Sequence, residues 1–176
     1  MASSFVLGKE MEILTEAWKL LGQPQVATLV LLIGVGVAIR SINMNRLVEQ
    51  EKETVQLLFN ARNDEVLSGG MDLLERVHDD PNNNIRAYGK EKKQDPDAVQ
   101  IRYVLNHWER IAIAIRRKTY SEEIIKAASC SSLISIHEQA TPMIKAIREA
   151  TGKQTYYQEL DWLANRWSKR PLRARK

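Results

Sequence analysis

Hydrophobic residues occur along the 176-residue chain in two ways: one unbroken apolar run near the N-terminus, then repeated amphipathic segments. The run from Val26 to Ile39 reads VATLVLLIGVGVAI, and Thr28 is its only polar residue. Its flanks extend it to 21 residues, Gly22 to Ile42, with Arg40 as the only charge. A helix of that length rises about 32 Å, which matches the roughly 30 Å hydrocarbon core of a bilayer. The pattern therefore predicts a membrane-spanning helix over residues 23–43.

Two other interpretations of the apolar run fit the sequence less well. A buried helix of a soluble protein would need cover on every side, because no face of the run is polar. A cleaved signal peptide would begin with a basic region and an early apolar stretch, whereas this run starts late and a charged helix follows it directly. The sequence favours a membrane span.

The charges beside the span indicate its orientation. Arg40 and Arg46 follow it, whereas Lys9 and Lys19 precede it together with three glutamates. The positive-inside rule therefore favours a single-pass protein of the inner (plasma) membrane with its C-terminal domain in the cytoplasm.

Amphipathic periodicity predicts helices on both sides of the span. Residues 1–22 form an amphipathic helix that lies in the membrane interface or packs on a partner. After the span no helix breaker precedes Gly69-Gly70, so we expect one continuous helix as far as that pair. A shorter helix then ends before Pro81, and the polar residues 82–94 are predicted to form an irregular loop.

The strongest predicted core helix begins at Asp95-Pro96-Asp97, which combines a capping acid with a proline in the first turn. Its apolar residues recur at three- and four-residue steps and form one broad stripe. The stripe comprises Ile101, Val104, Leu105, Trp108, Ile111, Ala112 and Ile115.

Three further helices are predicted after this core element. The first is a short helix that starts at Ser121, and the last contains TYYQELDWLANRW. Between them a helix runs from Ser131 to Ala150, with an interruption at Pro142 and an end at Gly152. No strand-like alternation occurs. The predicted fold class is therefore all-α, with an N-terminal transmembrane helix, a cytoplasmic helical bundle over residues 44–168 and a basic tail over residues 169–176.

The net charge of +4 arises in that tail. Five of the 26 Lys and Arg residues lie in the last eight positions, which leaves 21 cations against 22 anions in the rest of the chain. A nucleic-acid-binding domain carries its excess positive charge on a folded face, so this distribution makes a nucleic-acid partner unlikely. We expect Arg170, Arg173 and Arg175 to be solvated or to contact anionic lipid at the membrane surface, and an acidic protein partner is the further alternative.

Candidate chemical groups are sparse. Each of the three histidines has an acidic neighbour, but adjacent helical residues point in different directions and do not form a ligand pair. Metal, disulfide-exchange and phosphate-binding motifs are absent, so we expect no enzyme activity, no cofactor and no metal. The lone Cys130 is typical of a small buried residue. Glu109, Arg110 and Arg148 are expected to form a polar network that orients helices.

Small residues occur within the predicted span. Gly34 and Ala38 are four residues apart, and Gly36 lies between them. Such spacing allows two membrane helices to approach closely, although glycines are also simply tolerated in membrane helices. The pattern favours a homo-oligomer or a protein partner within the lipid bilayer.

Four segments carry a resemblance to a known family. They are YVLNHWERIAIAIRR from Tyr103, YSEEII from Tyr120, TPMIKAIR from Thr141 and YQELDWLA from Tyr157. Over residues 42–167 the chain resembles the bacterial domain of unknown function 4760 family. The resemblance implies a membrane-anchored, helical cytoplasmic domain, and it supplies no reaction and no catalytic residues.

Two hypotheses for the function follow from these patterns. The first is a non-enzymatic, membrane-anchored module whose helical domain docks on a protein partner or on itself. The alternative is a membrane effector or sensor of a bacterial or phage conflict (defence) system, which would depolarise cells when triggered, as a docking module would not.

Overall fold

The computed structural model describes Thr15, Lys19 and residues 24–172. These residues form five α-helices and one short 3₁₀ helix, and they contain no strand, which confirms the predicted all-α class. The helices are α1 (Pro24–Arg62), α2 (Glu65–Asp79), a 3₁₀ helix (Ile85–Gly89), α3 (Pro96–Arg116), α4 (Glu122–Thr151) and α5 (Gln158–Lys169). The predicted amphipathic helix over residues 1–22, apart from Thr15 and Lys19, and the tail beyond Leu172 lie outside the described residues.

The chain divides into two units, Met1–Val48 and Glu49–Lys176. In the first unit, α1 begins at Pro24, where a proline costs no helical hydrogen bond. The apolar part of α1 reaches a mean hydropathy of 1.9 over 18 residues, and none of that window is buried. By length and composition this helix is able to cross a membrane.

The break between α1 and α2 differs from the prediction of a continuous helix up to Gly69-Gly70. α1 ends at Arg62, and the side chain of Asp64 accepts a hydrogen bond from the Leu67 N–H at 2.9 Å. This N-cap starts a new helix, because an aspartate satisfies a free amide of the first turn. The two glycines lie inside α2. A Cβ on Gly70 would be 2.6 Å from Cγ2 of Val104, so the glycine allows α2 to approach α3 closely.

The core of the second unit is built around α3. All seven residues of the predicted stripe are buried, and α3 packs against α2, α5 and the 3₁₀ helix. The predicted start is also confirmed, since the Asp95 carboxylate accepts a hydrogen bond from the Asp97 N–H at 3.0 Å. α4 packs against α2, α5 and the 3₁₀ helix and completes the bundle.

The segment 82–94, predicted as an irregular loop, contains the 3₁₀ helix and contributes to the core. Ile85, Tyr88 and Gly89 are buried. A Cβ on Gly89 would lie only 2.5 Å from the carbonyl oxygen of Met143 in α4. The glycine is therefore required because two backbones meet here, a tertiary contact that the polar composition of the segment does not reveal.

Helix α4 is continuous through Pro142, where an interruption was expected. The irregularity lies at Ser129, whose φ is −141° and ψ is 15°, beside the predicted junction at Ser131; the two helices predicted on either side form the single helix α4. Ala140 and Met143, on either side of the proline, are buried. Their packing keeps the helix continuous, although the proline removes one backbone hydrogen bond. The predicted end at Gly152 is confirmed by its left-handed φ of 68°.

Candidate functional site

The most extensive feature with a functional implication is the apolar part of α1. Its large side chains are exposed, and Leu31 reaches 70%. A Cβ added at Gly34 or Gly36 would meet no atom within 4 Å, so none of the described residues covers these positions. Ala38 is exposed in the same way. The predicted small residues are therefore not covered by any described residue, with Gly34 and Ala38 near one side of the helix and Gly36 on the opposite side.

A polar cluster joins α3 and α4 to the start of α5. The Glu109 carboxylate, on α3, accepts hydrogen bonds from the backbone N–H groups of Glu159 (3.3 Å) and Leu160 (2.7 Å). Tyr157, the N-cap residue of α5, supplies no capping side-chain bond, so Glu109 serves as the cap from another helix. Burial raises the pKa of Glu109, and these hydrogen bonds only partly oppose the rise.

The other side of the cluster is held by Arg148 and His137 of α4. The Arg148 guanidinium donates to the Tyr156 carbonyl and, at 2.6 Å, to the Asp161 carboxylate. Nε2 of His137 lies 2.8 Å from the other Asp161 oxygen. Burial by itself would raise the pKa of Asp161, but the hydrogen bonds from His137 and Arg148 outweigh that effect and lower it. The arrangement ties α4 to α5.

The three residues of the predicted network do not all meet. Glu109 and Arg148 both reach the start of α5, whereas the exposed Arg110 donates to the carbonyl of Asn106 on its own helix. The pair formed by His137 and Asp161 is not predicted from the sequence, because the acidic residue adjacent to His137 in the sequence is Glu138. The two partners are 24 positions apart, so no local spacing indicates the pair.

We expect Asp161→Asn to lower the free energy of unfolding by about 1–3 kcal/mol at pH 7, because Arg148 loses its carboxylate partner. The folded pKa of Asp161 lies below its ordinary value of 3.8, so the stabilisation is present above that pH and is lost as the pH falls through the folded pKa. Urea unfolding at pH 7 and pH 3 measures both effects. Asp72→Asn, at an exposed aspartate, is the control; equal losses in the two variants would contradict this role for Asp161.

A cleft of about 380 Å³ lies between the end of α1 and the outer side of α3. Tyr103 donates a 2.7 Å hydrogen bond to Asp64 at its edge, and Arg110 and His107 line it. The N–H of Leu67 and the hydroxyl of Tyr103 lower the pKa of Asp64, while burial lowers that of His107. The cleft therefore combines a neutral imidazole and a guanidinium with an ionised carboxylate, an arrangement suited to a polar group that can both donate and accept hydrogen bonds.

Cys130 and the arginines of the C-terminal tail are the remaining residues singled out in the sequence. Cys130 is buried, as expected for a structural cysteine. Arg170 is exposed at the end of α5, and Arg173 and Arg175 lie outside the described residues. Within the described part of the chain, no group of three or more His, Cys, Asp or Glu side chains is placed to hold a metal ion.

Comparison with known proteins identifies the family. No curated protein and no solved structure matches the chain. The family model described as a domain of unknown function, DUF4760, matches residues 28–167, which include most of α1 and all of the helical bundle as far as Trp167. The chain therefore belongs to the DUF4760 family.

Proposed function

We propose that the protein is a non-enzymatic, membrane-anchored interaction module. In this proposal residues 23–43 cross the inner membrane once, and the helical domain docks on a protein partner or on a second copy from the cytoplasmic side. The exposed apolar segment of α1 is the observation that carries the proposal. The positive-inside argument from Arg40 and Arg46 supplies the orientation.

An apolar segment this exposed would be unfavourable in water, so we expect another apolar phase or surface to cover it. Removing one large apolar side chain from water is favourable by about 1.5–3 kcal/mol of free energy, and the segment contains a continuous series of such side chains. These are Leu29, Val30, Leu31, Leu32, Ile33, Val35, Val37, Ile39 and Ile42. A lipid bilayer covers all sides of such a helix at once. A cleaved signal sequence fits less well, because α1 continues unbroken to Arg62 and its buried Thr54 belongs to the helical domain.

The charged side chains at the centre of the helical domain have structural roles that favour docking over catalysis. Glu109, Arg148 and Asp161 hold α5 in place, and Glu122 of α4 pairs with Arg166 of α5 at 2.8 Å. In contrast, Phe59 on α1 is 63% exposed. A large aromatic side chain in water is a candidate contact for another protein.

A photo-crosslinking amino acid at position 59, in growing cells, tests the docking. We expect a defined crosslinked species whose mass identifies either a partner or a second copy. The same amino acid at Glu53, an exposed position on another side of α1, is the matched control. Equal crosslinking from both positions would indicate random collision and contradict docking through Phe59.

Cysteine labelling in the same cells tests the orientation. Cys130 is buried, so Lys153→Cys supplies the accessible thiol. A membrane-impermeant maleimide should label it only after the inner membrane is opened. Labelling of intact spheroplasts would place the domain outside the cytoplasm and overturn the proposed orientation.

We expect Gly34→Ile to weaken any self-association within the membrane, because a large side chain separates two closely packed helices. A Cβ at position 34 would meet no atom of the described residues within 4 Å, so the fold of the helical domain should not change. Oligomer mass in mild detergent is the measurement. Gly36→Ile, which lies on the opposite side of the helix, is the control and should have less effect. A monomeric wild-type protein would contradict self-association.

A further inference from the structure

An apolar groove of about 490 Å³ lies within the helical domain, beneath the last turns of α1. Side chains from four helices line it, among them Leu57, Leu67, Met71, Ile111 and Ile125. The volume falls within the roughly 300–1,000 Å³ of small-ligand sites, which are mostly apolar with a few polar groups. The groove has the size and lining of a ligand site.

The wall formed by α4 is irregular at the groove. Ser129, the one residue of α4 with non-helical dihedral angles, lines it together with Ser132. Neither hydroxyl has a hydrogen-bond partner among the described residues. Ser129 is partly buried and Ser132 is exposed, so two hydroxyls able to donate lie along the groove where α4 departs from regular geometry.

A buried donor without an acceptor is the second observation. Trp108 lines the groove and is 5% exposed, and its Nε1–H has no hydrogen-bond partner in the described part of the chain. It is the only buried side-chain nitrogen or oxygen of the described residues left in this state. Leaving such a group unpaired costs about 1–3 kcal/mol. Because the nitrogen has almost no accessible surface, a ligand acceptor recovers that cost only where neighbouring side chains of the groove move aside.

The charges of the lining point to the kind of ligand. Arg62, at the end of α1, lines the groove and forms no ion pair with any described residue. No aspartate or glutamate lines the groove, and the polar groups present are an indole, a guanidinium, an imidazole and two hydroxyls. The lining is thus rich in donors, carries one cation and has no anion.

We propose that this groove binds a long-chain fatty acid. The acyl chain occupies the apolar space between α1 and α4. The carboxylate supplies the negative charge and the acceptor oxygens that match Arg62 and the donor-rich lining. The site is independent of the membrane segment, because all its residues belong to the second unit.

The test uses the full chain in phosphatidylcholine nanodiscs and a palmitate analogue that carries a diazirine on its acyl chain. After irradiation, mass spectrometry should locate adducts on peptides that contain residues 57–71 and 125–132. Excess palmitate should displace the label at least about tenfold better than palmityl alcohol, which has the same chain without the charge. Adducts confined to the apolar segment of α1 would show membrane partition only and would overturn the proposal.

Two pairs of variants make the result specific. Both Ala127 and Ala128 are exposed, but only Ala128 lines the groove. Ala128→Trp should therefore obstruct the groove and abolish its adducts, whereas Ala127→Trp should keep them. Trp108→Phe and Arg62→Gln leave the groove open, and each should weaken palmitate about tenfold. Since Arg62 is exposed, its variant tests the site even where a core variant fails to fold. Unchanged palmitate binding in both of these variants would overturn the proposal.

Discussion

Leu31→Asp combined with Ile33→Asp should release the protein from the membrane. Each substitution replaces an apolar side chain near the centre of the span with a carboxylate, which costs about 3–4 kcal/mol of insertion free energy, or about 6–8 kcal/mol for the pair. Both positions are exposed in the described structure, so the change acts on the contact with lipid and leaves the helical domain intact. Sedimentation with carbonate-washed membranes is the measurement.

Val55→Asp combined with Phe59→Asp is the matched control for this release. It adds the same two charges to exposed apolar positions on the same helix, but in the second unit. The control should stay in the membrane fraction. If the Leu31 and Ile33 variant also sediments with carbonate-washed membranes, residues 23–43 do not anchor the protein and the proposed function is wrong.

Trp167→Ala should lower the free energy of unfolding of the helical domain by about 3–5 kcal/mol. The side chain is fully buried, and its Nε1–H donates a 3.1 Å hydrogen bond to Glu122 of α4. The substitution leaves a large cavity and removes a hydrogen bond between α5 and α4. Urea unfolding of the purified chain, followed by circular dichroism, measures the loss.

Trp162→Ala is the control for Trp167→Ala, because it also removes an indole but from a position that is only partly buried. Trp162 is in the same helix but is only partly buried, and its ring lies 5.4 Å from the Arg116 guanidinium and 5.8 Å from that of Arg166. Losing these contacts should cost about 1–2 kcal/mol. Equal losses in the two variants would show that Trp167 is not the main anchor of α5.

Periodicity and caps were sufficient to predict most of the helices. The stripe of α3 combines seven apolar residues at helical spacing, and the signals at Asp95 and Gly152 act within a single turn. Such short-range features depend on the local chain alone. The break at Asp64 was missed because a single capping aspartate stands within a stretch that is otherwise helical in pattern, while two glycines offered a stronger signal nearby.

Features that depend on how helices pack could not be predicted in this way. Glu109 and Arg148 both form hydrogen bonds at the start of α5, but which groups they meet there depends on the register between helices. The junction predicted at Ser131 lies close to the kink at Ser129, but the sequence does not indicate that α4 continues across it. The groove beneath α1 is likewise formed by four helices that are separated along the chain.

The buried 3₁₀ helix decides where this chain can be lengthened. An epitope tag or a protease site is ordinarily inserted into the most polar stretch, which here is residues 82–94. Ile85, Tyr88 and Gly89 are packed against the core, so an insertion among them would separate the 3₁₀ helix from α4 and expose buried side chains. Residues 91–94 are exposed in turn conformation. They are the place where added sequence should be accepted, and the whole region should not be treated as a spacer.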